Sequence, residues 1–97
     1  SSTAELITVT GPSFTLAWDG EDATGYRLYW REHGASSWTV LEENTTEPQY
    51  TVTESVLAYG TYEFAVSSLS GGTESDLHHS YDETADPEPW ILEWTAG

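Results

Sequence analysis

Leu57-Ala-Tyr-Gly60-Thr-Tyr62-Glu-Phe64-Ala-Val66 is the stretch on which the fold turns. Tyr62, Phe64 and Val66 alternate with Glu63, Ala65 and Ser67. Successive side chains of a strand point to opposite faces, so the first trio lies on one side and the second on the other. Gly60 before the run and Gly71-Gly72 after it are turn residues. The segment reads as a strand with an apolar inward face and a polar outward one.

The same pattern recurs on both sides. Upstream, Tyr26, Leu28 and Trp30 alternate with Arg27, Tyr29 and Arg31, and Phe14, Leu16 and Trp18 alternate with Thr15 and Ala17. Ala4–Thr10 is a first strand closed by Gly11-Pro12, and the acidic turn Asp19-Gly20-Glu21-Asp22 ends the second. Ser37–Glu42, with Trp38, is a short fourth strand. Glu43–Pro48 is a polar loop, and Gln49–Thr53 is a fifth strand with Tyr50 and Val52 on one side. No helix-length amphipathic stretch and no internal repeat appear. The expected core is Trp18, Tyr26, Leu28, Trp30, Tyr62, Phe64 and Val66.

The end of the chain has two placements. In one, Thr73–Tyr81 is the seventh strand, residues 82–89 are an acidic, Pro-containing connector, and Trp90–Thr95 is an extra segment packed on the outside. In the other, Trp90–Thr95 is the closing strand and residues 73–89 form a long loop. Loops beyond about 12–15 residues are uncommon in compact domains, which favours the first. Trp90, Leu92 and Trp94 nonetheless form a one-faced apolar stripe that calls for burial, in this domain or against a neighbour.

Composition bounds the rest. The 97 residues suit one core, and 37% hydrophobic content with five Trp is enough to fill it. Seventeen acidic residues stand against two Arg and no Lys, for a net charge of −15. Such a polyanion repels nucleic acid and anionic membrane surfaces, and suits saline or cation-rich surroundings. With no Cys there is no disulfide framework or thiolate metal site. No apolar run reaches the ~20 residues of a membrane helix, Trp90–Trp94 included. The start at Ser1-Ser2, with no Met, suggests a segment excised from a longer protein.

Short alternating strands with Gly/Pro/Asp turns argue for an immunoglobulin-like sandwich. Phe14-Thr-Leu-Ala-Trp18, Gly25-Tyr-Arg-Leu-Tyr-Trp-Arg31 and Leu57–Val66, in that order, resemble the second, third and sixth strands of fibronectin type III domains. The resemblance covers about residues 4–81. It implies an all-β, seven-stranded antiparallel β-sandwich, with Trp90–Thr95 as an additional C-terminal strand-like segment. It also implies that Tyr62 forms a tyrosine corner, its hydroxyl bonding to backbone just upstream.

Little in the sequence carries catalysis. There is no Cys, no Lys and no Gly-x-Ser-x-Gly elbow. Ser67, Ser68, Asp76 and His78 are near in sequence but lack the converging geometry of a triad. Adjacent His78 and His79 point to opposite faces of a strand and do not chelate one ion. The clusters Asp19/Glu21/Asp22 and Asp76/Asp82/Glu83/Asp86/Glu88 are oxygen-rich, as calcium prefers, but lack EF-hand spacing, and solvated loops account for them. No catalytic, cofactor or metal residue is therefore expected. Asn44-Thr45-Thr46 fits the N-glycosylation pattern in a surface loop. Arg27 and Arg31 face outward on the third strand, and a cross-strand ion pair of one of them with Glu63 is expected, with Glu42 or Glu43 as another partner. Tyr29 and Trp38 are the aromatics placed to touch a ligand, as a sugar-stacking platform. The competing account packs Tyr29 beside arginine stems and lays Trp38 over the sandwich rim.

The expected function is a non-catalytic spacer or interaction module in a larger secreted or cell-surface protein. Its partners would be neighbouring domains, and the family's company implies a bacterial polysaccharide-acting parent. Two rival readings are a carbohydrate- or protein-binding module using Tyr29 and Trp38, and a calcium-stabilised extracellular domain.

Overall fold

The computed structural model describes residues 6–18, 23–75 and 90–97, and in them the chain is all-β. Eight strands follow in order: β1 Leu6–Thr10, β2 Ser13–Ala17, β3 Gly25–Glu32, β4 Thr39–Thr45, β5 Gln49–Thr53, β6 Gly60–Ser70, β7 Thr73–Glu74 and β8 Trp90–Thr95. The larger sheet runs β1-β8-β6-β3-β4, with β7 paired to the end of β6; the smaller is the antiparallel β2–β5 pair.

Alternation places the core between the two sheets. Phe14, Leu16 and Val52 from the small sheet face Leu28, Phe64, Val66, Leu92 and Trp94 from the large one, all buried. Phe14 stands edge-on to both Phe64 and Trp94, with ring centroids 5.6 and 4.7 Å apart, an arrangement that aligns the positive ring edge with a negative face. Trp18 packs edge-to-face on Tyr26 at 5.5 Å. Trp30 is only half-buried, resting edge-on against Tyr62 at 5.6 Å.

The end of the chain corrects the expected topology. Trp90–Thr95 is not an outer appendage. It is an inner strand, antiparallel to β6 on one side and parallel to β1 on the other. Trp90, Leu92 and Trp94 alternate with half-buried neighbours, and Trp94, 1% exposed, sits across from Gly60. Its indole N–H donates to the Gly11 carbonyl at 2.8 Å, so its polar edge is satisfied too. The parallel β1–β8 pair also means the larger sheet is mixed, not antiparallel throughout.

Of the expected strand Thr73–Tyr81, the structure describes Thr73–Ser75, in which Thr73–Glu74 pairs with β6 after Gly71 and Gly72 (φ 57° and 89°) turn the chain straight back. Two successive positive φ angles are what a two-residue hairpin turn needs, and glycine adopts them without steric cost. Residues 4–5 and 76–89, including the connector at 82–89, lie outside the described residues. The fourth strand is displaced as well. It begins at Thr39, after Trp38, and runs to Thr45, so Asn44-Thr45 of the glycosylation pattern ends a strand instead of lying in a loop. The Asn44 side chain closes over Gly25, where a Cβ would collide with it.

The Tyr62 hydroxyl donates to the Ala58 carbonyl at 2.6 Å. Burial, then the charge of Glu32, pushes this phenol's pKa up, so it keeps the proton it donates. Tyr62→Phe removes that donor and leaves the carbonyl unpaired. The expected cost is about 1 kcal/mol, read as a fall in Tm of roughly 4–8 °C. An unchanged melting temperature would show that the bond is idle.

Candidate functional site

The outward face of the large sheet gathers the polar side chains of β3, β6 and β7. Register aligns Arg31 with Glu63, Tyr29 with Ala65 and Arg27 with Ser67. Because partners in adjacent strands share a face, the expected cross-strand pair forms: Arg31 Nη2 and Nε both lie 2.6 Å from Glu63 Oε1. Glu63 Oε2 accepts two further bonds, from His33 Nδ1 at 2.8 Å and from the Gly34 N–H at 3.0 Å. Gly34 reaches this position in the β3–β4 turn with φ 91°.

Burial alone would raise the Glu63 carboxyl, but the Gly34 N–H, Arg31 and His33 outweigh it and hold its pKa below the ordinary carboxylate range. A second knot lies at the other end of β3. Glu74 accepts from the Tyr29 hydroxyl, from Ser67 Oγ at 2.7 Å and from Arg27 Nη1 at 3.0 Å. Its pKa is lowered by the Tyr29 and Ser67 bonds first, then, against the opposing push of burial, by Arg27.

Tyr29 and Trp38 are both engaged within this face. Tyr29 is half-buried, and burial together with its bond to Glu74 pushes its pKa up, so it remains a donor. Trp38 is half-buried as well, with the Arg31 guanidinium 4.0 Å from its ring centre, a cation–π contact that occupies one face. Among the described residues the two rings make no contact with each other. Trp90 and Trp94, the other aromatics of interest, are buried in the core. Alternation made Arg31–Glu63 readable in advance. It did not reveal Glu74, His33 or Gly34, whose positions depend on the geometry of two turns.

Chemically, this face neutralises its own charges. Each arginine is committed to a carboxylate. No group of three potential metal ligands occurs among the described residues. The acidic loops considered for calcium, and His78 and His79, lie outside them. One recess remains beside the network: a cleft of about 360 Å³ at the β3–β4 turn, lined by Trp30, Arg31, Glu32, Ala35, Ser37 and Thr39.

Glu63→Gln should therefore act as a structural change. It removes the charge facing Arg31 and His33, at an expected cost of about 1–2 kcal/mol at neutral pH. The sign with pH follows from the depressed pKa. The carboxylate stabilises the fold above its unfolded value, about 4.3, and that contribution disappears as pH falls through the lower folded value. Urea denaturation of both proteins at pH 7 and pH 3 checks this. The stability gap should be present at the first pH and smaller at the second.

No protein-family model matches this chain, and no curated protein matches it.

Proposed function

We propose that the chain is a fibronectin type III-like module, a non-catalytic spacer or interaction domain within a larger secreted or cell-surface protein. The observation that carries this reading is the parallel pairing of β1 with β8, in which Leu6 lies beside Ile91 and Thr10 beside Thr95. The first and last strands thus run in the same direction, and the chain enters at one end of the sheet and leaves at the other. That is the geometry a bead needs in a string of domains. The Tyr62–Ala58 bond and the two facing sheets support the family assignment. The self-neutralised outer face supports a non-catalytic role. Fold-level analogy carries the remainder, including a polysaccharide-acting parent.

Two head-to-tail copies, Gly97 of one joined to Ser1 of the next, provide the test. Small-angle scattering should give a particle with roughly twice the maximum dimension of one copy, and each copy should melt as it does alone. A folded-back, compact pair would overturn the spacer reading. Hydrolysis of a polysaccharide by the single chain would overturn the non-catalytic one.

A further inference from the structure

The cleft at the β3–β4 turn brings exposed polar side chains beside a partly uncovered aromatic ring. Trp30 belongs to the inward-facing series Tyr26, Leu28, Trp30, of which Tyr26 is 4% and Leu28 0% exposed. Trp30 itself is only half-buried. The reason is the unequal width of the layers: the two-stranded β2–β5 sheet does not cover the whole inner face of the larger one. Beyond its edge, the indole lines a recess of about 360 Å³.

The polar lining differs from the outward face of the sheet. Arg27, Tyr29, Glu63, Ser67 and Glu74 are all tied to one another or to backbone. The side chains of Glu32, Ser37 and Thr39, in contrast, have no hydrogen-bond partner among the described residues. A carboxylate and two hydroxyls, beside an aromatic surface, therefore retain their bonding capacity in one small cleft.

We infer that this cleft binds a neutral saccharide, with a sugar ring against Trp30 and its hydroxyls bonded to Glu32, Ser37 and Thr39. An indole face carries negative charge density that attracts the C–H face of a pyranose, and a carboxylate is a strong acceptor for sugar hydroxyls. The volume is near the lower limit of small-molecule sites, about 300–1,000 Å³, which fits a short saccharide and not an extended chain. Charge selects a neutral one. Arg31 is already offset by Glu63, Glu32 lines the cleft, and a net charge of −15 repels uronates and sulfated sugars. A shallow site with few anchors gives weak binding, with Kd on the order of 0.1–10 mM. The inference does not depend on the spacer reading, since either kind of parent protein can carry such a cleft.

Nitrogen–proton NMR correlation spectra of the intact chain provide the test. The probes are cellopentaose, xylopentaose, mannopentaose and chitopentaose, with oligogalacturonate as the acidic control. At least one neutral probe should shift the Trp30 indole N–H saturably and leave that of Trp38 in place, and oligogalacturonate should shift neither. Glu32→Gln and Thr39→Ala alter exposed side chains and leave the core intact, and each should weaken binding at least about threefold. Trp30→Ala should abolish it, and the two milder variants decide the matter if that protein fails to fold. The inference is overturned if no neutral probe gives a saturable shift at Trp30, if the shifts centre on Tyr29 or Trp38, or if both milder variants bind as the parent does.

Discussion

A chain ending at residue 89 is expected not to fold. β8 lies between β6 and β1, so its removal leaves the outward edge of β6 bare and β1 with no strand beside it. It also strips Trp90, Leu92 and Trp94 from the core, where they are 5%, 6% and 1% exposed. Burying a large apolar side chain is worth about 1.5–3 kcal/mol by transfer alone, and truncating a core Trp to Ala costs about 3–5 kcal/mol once the cavity is included. Three such losses reach or exceed the 5–15 kcal/mol by which a domain is typically stable. The shortened chain should show collapsed amide dispersion and no cooperative urea transition. Trp94→Ala in the full chain should still fold, losing about 3–5 kcal/mol, because Phe14 and Tyr59 rest on that ring at 4.7 and 4.9 Å. If residues 1–89 alone melt cooperatively near the full-length Tm, β8 is dispensable and the topology is wrong.

Two signals conflict at this strand, and they can be weighed. The rarity of long loops favours Thr73–Tyr81. Yet closing a loop costs only about 0.6 kcal/mol per doubling of its length, so even two doublings amount to about 1.2 kcal/mol. A single buried Trp outweighs that. Thr73–Tyr81 offers Leu77 as its lone aliphatic residue, whereas Trp90–Trp94 offers two Trp and a Leu on one face. Side-chain burial is the stronger signal, and it places Trp90–Thr95 inside the sheet.

Other features were legible to different depths. Strand alternation gives Tyr26, Leu28, Phe64 and Val66 as core, and all four are buried. It also places Trp30 inward, but alternation within one sheet carries no information about how far the opposite sheet extends. The half-exposed Trp30 and its cleft therefore emerge only from the packing of layers. Which way β1 turns is hidden for a similar reason. Leu6-Ile-Thr-Val-Thr10 alternates equally well against β2 or β8, and the choice depends on tertiary contacts at Val9 and Trp94.

Salt should stabilise this protein strongly. The sequence has 17 acidic residues and two basic ones, and Arg31 and Arg27 are already paired with Glu63 and Glu74. Neither remains to offset Glu32, Glu42, Glu43, Glu47, Glu54 or Glu93. With a radius of gyration of 12.9 Å, most carboxylate pairs of the folded chain lie within the Debye length of about 30 Å at 0.01 M salt, so repulsion acts across most of the molecule. Unfolding relieves that repulsion by spreading the charges apart. At 1 M salt the Debye length is about 3 Å, and only immediate neighbours still interact. For a net charge of −15, the difference amounts to several kcal/mol, on the order of 5. The Arg31–Glu63 pair opposes this trend, since salt weakens it too. It is one partly buried contact worth at most a few kcal/mol, and burial protects it from screening. Repulsion therefore dominates, and Tm should climb by at least about 10 °C between roughly 0.01 M and 1 M NaCl. Replacing Glu42, Glu43, Glu47 and Glu54 by Gln together should raise the low-salt Tm and flatten its salt dependence, because the charge is removed instead of screened. A Tm that stays level or falls across that range of NaCl would mean the acidic surface is electrostatically neutral to folding.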